Sequence, residues 1–126
     1  MERTILVVDD DPGTVENLAD LLESNGYEVW RAYDGRSAFH QLIGNTDNEP
    51  CAILLDLNMP IVDGWQFMAL IRSYVRLSKI PTILITGQRV PPHAVAIFEE
   101  ILLKPLDLDK LFQSVERACA QGRAPI

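Results

Sequence analysis

Cysteine is scarce in this chain, with two residues, Cys51 and Cys119, among 126. Two cysteines do not make the disulfide framework of a small secreted domain. They are expected to pack as small hydrophobes in a reducing cytoplasm. Long apolar runs are also missing. Runs such as Ile5 to Val8 and Ile101 to Leu103 fall far short of the ~20 residues that a membrane-spanning helix needs. Asp9, Asp10 and Asp11 interrupt the first run too early for a signal peptide. Basic charge is in deficit, 11 Lys and Arg against 18 Asp and Glu, for a net charge of −7. Without clustered cations to meet phosphates, DNA or RNA binding by this domain alone is disfavoured. Trp30 and Trp65 have no interleaved basic stripe, which argues against base stacking. Repeats and low-complexity segments are absent as well.

What is present is an alternation of short apolar runs with amphipathic stretches, the pattern of an α/β fold. Thr4 to Val8 reads as a strand buried on both faces. Asp11 caps a first helix with Pro12 at its first position and Val15, Leu18, Ala19 and Leu22 inward, and Gly26 stops it. Tyr27 to Ala32 is a second strand. Asp34 caps a second helix with Ala38, Phe39, Leu42 and Ile43 inward. Ala52 to Leu55 is a third strand, ending at Asp56. The turn from Asn58 to Gly64 leads to a third helix bearing Phe67, Met68, Ile71 and Val75. Thr82 to Ile85 is a fourth strand. Pro91 and Pro92 open a short helical segment, Ala94 to Glu99. Ile101 to Leu103 is a fifth strand. Asp107 caps a last helix with Leu108, Leu111, Phe112, Val115 and Cys119 inward. Five strands and five helices in strict alternation, with right-handed crossovers, predict a doubly wound five-stranded parallel sheet in the order 2-1-3-4-5, with a shortened fourth helix.

Such sheets bind ligands at the carboxyl ends of their strands. Asp9 and Asp10 end the first strand, Asp56 the third, Thr86 the fourth and Lys104 the fifth. One Asp at a strand end is ordinarily a cap or a solvated turn, and Asp11, Asp34 and Asp107 are read that way. Joint placement of all five groups is different. Three carboxylates on one edge repel each other, and a hard cation such as Mg²⁺ relieves the conflict. His40 and His93 lack a second ligand at metal spacing and are read as structural or surface residues.

These residues resemble the receiver domains of two-component response regulators. The matching stretches are Ile5-Leu6-Val7-Val8-Asp9-Asp10-Asp11-Pro12, Leu54-Leu55-Asp56-Leu57-Asn58-Met59-Pro60, Asp63-Gly64, Ile83-Leu84-Ile85-Thr86-Gly87 and Lys104-Pro105. The resemblance implies a flavodoxin-like fold and a single receiver domain over residues 1–126, with its core at about 4–120. It implies that Asp56 is the phosphoacceptor, attacking a phosphohistidine to form an aspartyl phosphate. Asp10, Asp56 and the backbone carbonyl of Asn58 would bind Mg²⁺, with Asp9 helping through water. Lys104, beside a cis bond to Pro105, would pair with a phosphoryl oxygen, and Thr86 would donate its hydroxyl to the acyl phosphate. Asn58 and Gln88, each two residues past a site residue, would tune the phosphoryl lifetime. The implied partners are a sensor histidine kinase or histidine phosphotransfer protein and a downstream effector protein or domain. A homodimer stays open. No nucleic acid or membrane partner is implied, and the location would be cytoplasmic. Such a module is not a turnover enzyme; it catalyses only its own phosphoryl transfer and dephosphorylation.

Two departures from the family pattern stand out. Ile101 occupies the position of the usual switching aromatic, three residues before the lysine. The interval from Thr86 to Lys104 is short, with Glu99-Glu100 in place of a small-residue turn. Two other functions fit the residues less well. A receiver-like scaffold that signals without phosphate fits the departures but not the complete acidic site. An aspartate-nucleophile phosphohydrolase needs a second Asp where Asn58 stands, and a cap domain for which the chain has little room.

Overall fold

The computed structural model describes residues 3–56 and 61–121. Five strands form one parallel sheet: β1 (Arg3–Val8), β2 (Tyr27–Ala32), β3 (Ala52–Asp56), β4 (Thr82–Thr86) and β5 (Glu100–Leu103). Their order is β2-β1-β3-β4-β5, as expected. Six helices connect and flank them: α1 (Pro12–Glu23), α2 (Gly35–Gly44), α3 (Ile61–Arg72), α4 (Val75–Ser78), α5 (Pro92–Val95) and α6 (Leu108–Gln121).

Period-two side-chain alternation splits the apolar strands between two cores. Ile5, Val7, Leu54, Ile83 and Ile85 face α1 and α6, meeting Val15, Leu22, Leu111 and Val115. Leu6, Val8, Ile53, Leu55 and Leu84 face the other way, meeting Leu42, Phe67, Ile71 and Leu77. With both faces covered, the strands need no polar alternation, and β1, β3 and β4 are almost wholly buried.

The expected caps form. Asp11 accepts from the Gly13 N–H at 3.1 Å, Asp34 from Ser37 at 2.6 Å, and Asp107 from Asp109 at 3.0 Å. Each satisfies an amide that the first helical turn leaves without a partner. Gly26, after α1, has φ +89°, a left-handed conformation that disfavours any side chain there.

Four expectations need correction. The third helix does not run on through Val75. The Ser73 hydroxyl donates back to the Leu70 carbonyl at 2.6 Å, the Tyr74 backbone is extended, and the chain restarts as α4. Val75 is therefore 76% exposed, Leu77 fills the core instead, and the described residues form the five expected helices plus this short one. The segment expected as helix over 94–99 is one turn, Pro92–Val95. Glu99 already donates to the Thr82 carbonyl at 2.9 Å, so the chain must reach the sheet at that point. Ile43 and Leu108 are exposed, because Leu42 and Leu111 occupy the inward positions of their terminal turns.

The fourth correction concerns the cysteines. Cys51 and Cys119 are joined in a disulfide with their Cα atoms 4.7 Å apart. They are 68 positions apart in sequence. Cys51 immediately precedes β3 and Cys119 lies in the last turn of α6, which packs back along the same strand. No short-range pattern exposes that proximity.

Candidate functional site

The parallel register brings the ends of β1, β3, β4 and β5 together. Val8 pairs with Leu55, Asp56 with Ile85, and Thr86 with Leu103. The residues that follow β1 and β5, together with Asp56 and Thr86, therefore rim one crevice at the carboxyl edge of the sheet.

Asp56 is 2% exposed, and the Lys104 ammonium donates to its Oδ1 at 3.0 Å. Lys104 is itself anchored by its backbone N–H, which donates to the Thr86 carbonyl at 2.9 Å. The Lys104–Pro105 peptide is cis. Thr86 is buried; its hydroxyl oxygen accepts from the Gln88 N–H at 3.0 Å, which ties it to the loop after β4.

Asp9 is fully buried. Its Oδ1 accepts from the Asp11 N–H at 3.1 Å, while its Oδ2 has no hydrogen-bond partner among the described residues. Burial pushes its pKa up to about 7; the Asp11 N–H works against the rise, and the charge of Asp56 and the neighbouring Asp10 add to it. A buried carboxylate oxygen without a donor, beside a second carboxylate, is a place for a cation. Asp10 is exposed at the rim. Among the described residues, no three His, Cys, Asp or Glu side chains are arranged to hold a metal ion by themselves. Asn58 lies outside the described residues, as does the Asp63 side chain.

The Trp65 ring, near the start of α3, packs against Phe98, with centroids 5.8 Å apart. Ile101 is half-buried against the core on the α3 side, paired in register with Leu84. One polar cluster went unnoticed in the sequence. Glu100 of β5 accepts from the Ser114 hydroxyl and from Arg117, both on α6. Burial alone would raise the Glu100 pKa, but these two donors outweigh it and hold the carboxyl below its ordinary value. The three-residue spacing of Ser114 and Arg117 on one helix face was the available signal.

The model of the response regulator receiver domain matches residues 5–116. This chain belongs to that family. Among curated relatives, the receiver domain is 30% identical to the response regulator Rre1 of Synechocystis over 96% of this chain and 53% of Rre1. It is 37% identical to the autoinducer sensor kinase/phosphatase CqsS of Vibrio cholerae, over 90% of this chain and 17% of CqsS. The chain thus spans about half, or less, of the length of these relatives. Among solved structures, the response regulator TrrA of Thermotoga maritima, in complex with Mg²⁺ and BeF, superposes with a TM-score of 0.75 at 26% identity, over 92% of this chain and 98% of that one. Receiver domains of this family are parts of two-component response regulators.

Proposed function

We propose that this receiver domain takes a phosphoryl group from a histidine kinase or histidine phosphotransfer protein onto Asp56. The observation that carries the reading is the Asp56–Lys104 contact beside the undonated Oδ2 of Asp9. A carboxylate nucleophile, a cation for the phosphoryl oxygens and a buried acidic place for a divalent ion lie in one crevice.

The residues fit Mg²⁺. Asp10 and Asp56 would hold it directly, Asp9 through water, and the Asn58 carbonyl would complete the protein ligands. An ion that keeps several waters does not need three clustered side chains. When bound, the ion neutralises charge on the transferring group. The protein's own residues do the rest. Asp56 attacks as the donor's N–P bond breaks and an O–P bond to its carboxylate forms. Lys104 leaves its contact with the carboxylate for a phosphoryl oxygen. Thr86 releases Gln88 and turns its hydroxyl toward the same group. Its own phosphoryl transfer and loss are the whole of its catalysis. The reading keeps the domain, residues 1–126, as one receiver unit in the cytoplasm. Its downstream partner is a protein or domain that distinguishes the two states.

The test is Mg²⁺-dependent labelling from a small acyl phosphate. Wild type should acquire one labile phosphoryl group, and Asp56→Asn, which keeps the shape without the nucleophilic charge, should acquire none. Label at wild-type level on Asp56→Asn would overturn the assignment, and would revive the reading of a scaffold that signals without phosphate.

A further inference from the structure

The edge of the sheet opposite the crevice carries the covalent link between Cys51 and Cys119. The Cys51 N–H donates to the Thr4 carbonyl at 2.8 Å, so this residue is fixed to the sheet just before β3 begins. Cys119 sits two residues before the end of α6, a helix whose only other cross-links to the sheet among the described residues are the contacts of Ser114 and Arg117 with Glu100. Both cysteines are buried in the same apolar cluster as Val115 and Ala118. The Cα separation of 4.7 Å lies in the range that a disulfide bridges without moving the backbone. The folded chain therefore brings the two sulfurs within bonding reach across the sheet–helix interface.

We propose that Cys51 and Cys119 are a reversible oxidation site, a dithiol–disulfide couple that fastens the last turn of α6 to the start of β3. The oxidant is a low-molecular-weight disulfide. One cysteine thiolate attacks a sulfur of that molecule and expels one thiolate. The second cysteine then attacks the mixed disulfide and expels the other. The protein loses two thiol protons and two electrons, and the small disulfide becomes two thiols. A dithiol reductant reverses both steps. Access to buried sulfur comes from the position of Cys119. The last four carbonyls of a helix have no partner within it, and the final turn of α6 has no basic side chain to hold them, so this end frays first. A persistent disulfide is unusual in a reducing compartment, where those that form are mostly transient or redox-sensing. The oxidised chain closes a long loop, and its unfolded state is correspondingly restricted. The inference does not depend on the crevice, and a failure of labelling at Asp56 leaves it untouched.

The experiment uses the full chain, equilibrated with glutathione disulfide or with dithiothreitol, then denatured and alkylated. Intact mass should show no alkylation after oxidation, with a mass about 2 Da below the dithiol form, and two alkylated thiols after reduction. The oxidised protein should melt higher by on the order of 10 °C, and amides of residues 115–119 should exchange more slowly. Cys119→Ala should melt alike under both conditions. Two alkylated thiols after oxidation, a glutathione adduct that persists on one cysteine, or equal melting of the two wild-type forms would overturn the proposal.

Discussion

The crevice and the segment from Gly87 to Leu103 lie side by side, yet they follow the family pattern to different degrees. In the crevice, Asp56 and Thr86 end their strands and Asp9, Asp10 and Lys104 follow theirs, in a register set by deeply buried apolar strands. In the neighbouring segment the helix is a single turn, Pro92–Val95, and an isoleucine stands at the switching position. The difference teaches that the proposed phosphoryl-transfer chemistry and the means of reporting it can vary separately. The first needs charges at fixed points, which the sheet supplies. The second needs an element with two packings, and here the helix between β4 and β5 is a single turn.

The predictions that probe this contrast begin with the metal. Asp10→Ala should weaken Mg²⁺ binding by about 100-fold or more, because it removes a direct ligand where outer partners alone are worth 10–100-fold. Titration followed by Trp65 fluorescence or by calorimetry checks it. Wild-type affinity would show that the crevice does not bind the ion as described. Lys104→Ala should still accept phosphate in part but lose the conformational response. Its activated-state spectrum should resemble that of the unphosphorylated protein, and a spectrum matching activated wild type would remove Lys104 from the coupling.

The Asp9 pKa gives a pH prediction of the opposite sign to the usual carboxylate. Its value is raised from 3.8 to about 7, so the folded state binds the proton more tightly than the unfolded chain does. Metal-free stability should therefore fall as pH rises through that interval and level off above it. Mg²⁺ should restore stability at the upper end, where Asp9 is charged. Melting curves from pH about 4 to about 8, with and without Mg²⁺, read this directly. Asp9→Asn should flatten the metal-free profile. Stability that rises across the interval without metal would contradict the burial argument. A smaller effect is expected at Glu100. Glu100→Gln should lower stability by about 1 kcal/mol near neutral pH, since it weakens a partly exposed pair of contacts. Denaturant titration measures it, and an unchanged midpoint would make the cluster a bystander.

Most of the architecture could be read from the sequence because its determinants are local. Four-residue apolar runs, an Asp before α1, α2 and α6 and a Gly after the first are contiguous signals. The crevice could be read because Asp56 and Thr86 end strands and Asp9 and Lys104 directly follow them. What could not be read depends on distance or on competition. The Cys51–Cys119 link depends on α6 packing back along β3. The break at Ser73 depends on one hydroxyl bonding its own helix rather than solvent. The exposure of Val75 follows from that break, and the pairing of Trp65 with Phe98 follows from how early residues 99–100 rejoin the sheet.

The most direct test of the contrast is an amide chemical-shift comparison with and without beryllofluoride and Mg²⁺. Thr86 must give up Gln88 to reach a phosphoryl group, which disturbs the exit loop of β4. Ile101 has a branched Cβ with restricted χ1 and no ring to swing into vacated space. A ligand shifts only an element that has two states to offer. The account predicts large shifts at Asp56 and Lys104 and through residues 86–92, with small ones at Ile101 and along α6. Shifts through Ile101 and α6 as large as those in the 86–92 loop, or no shifts at the crevice, would contradict it.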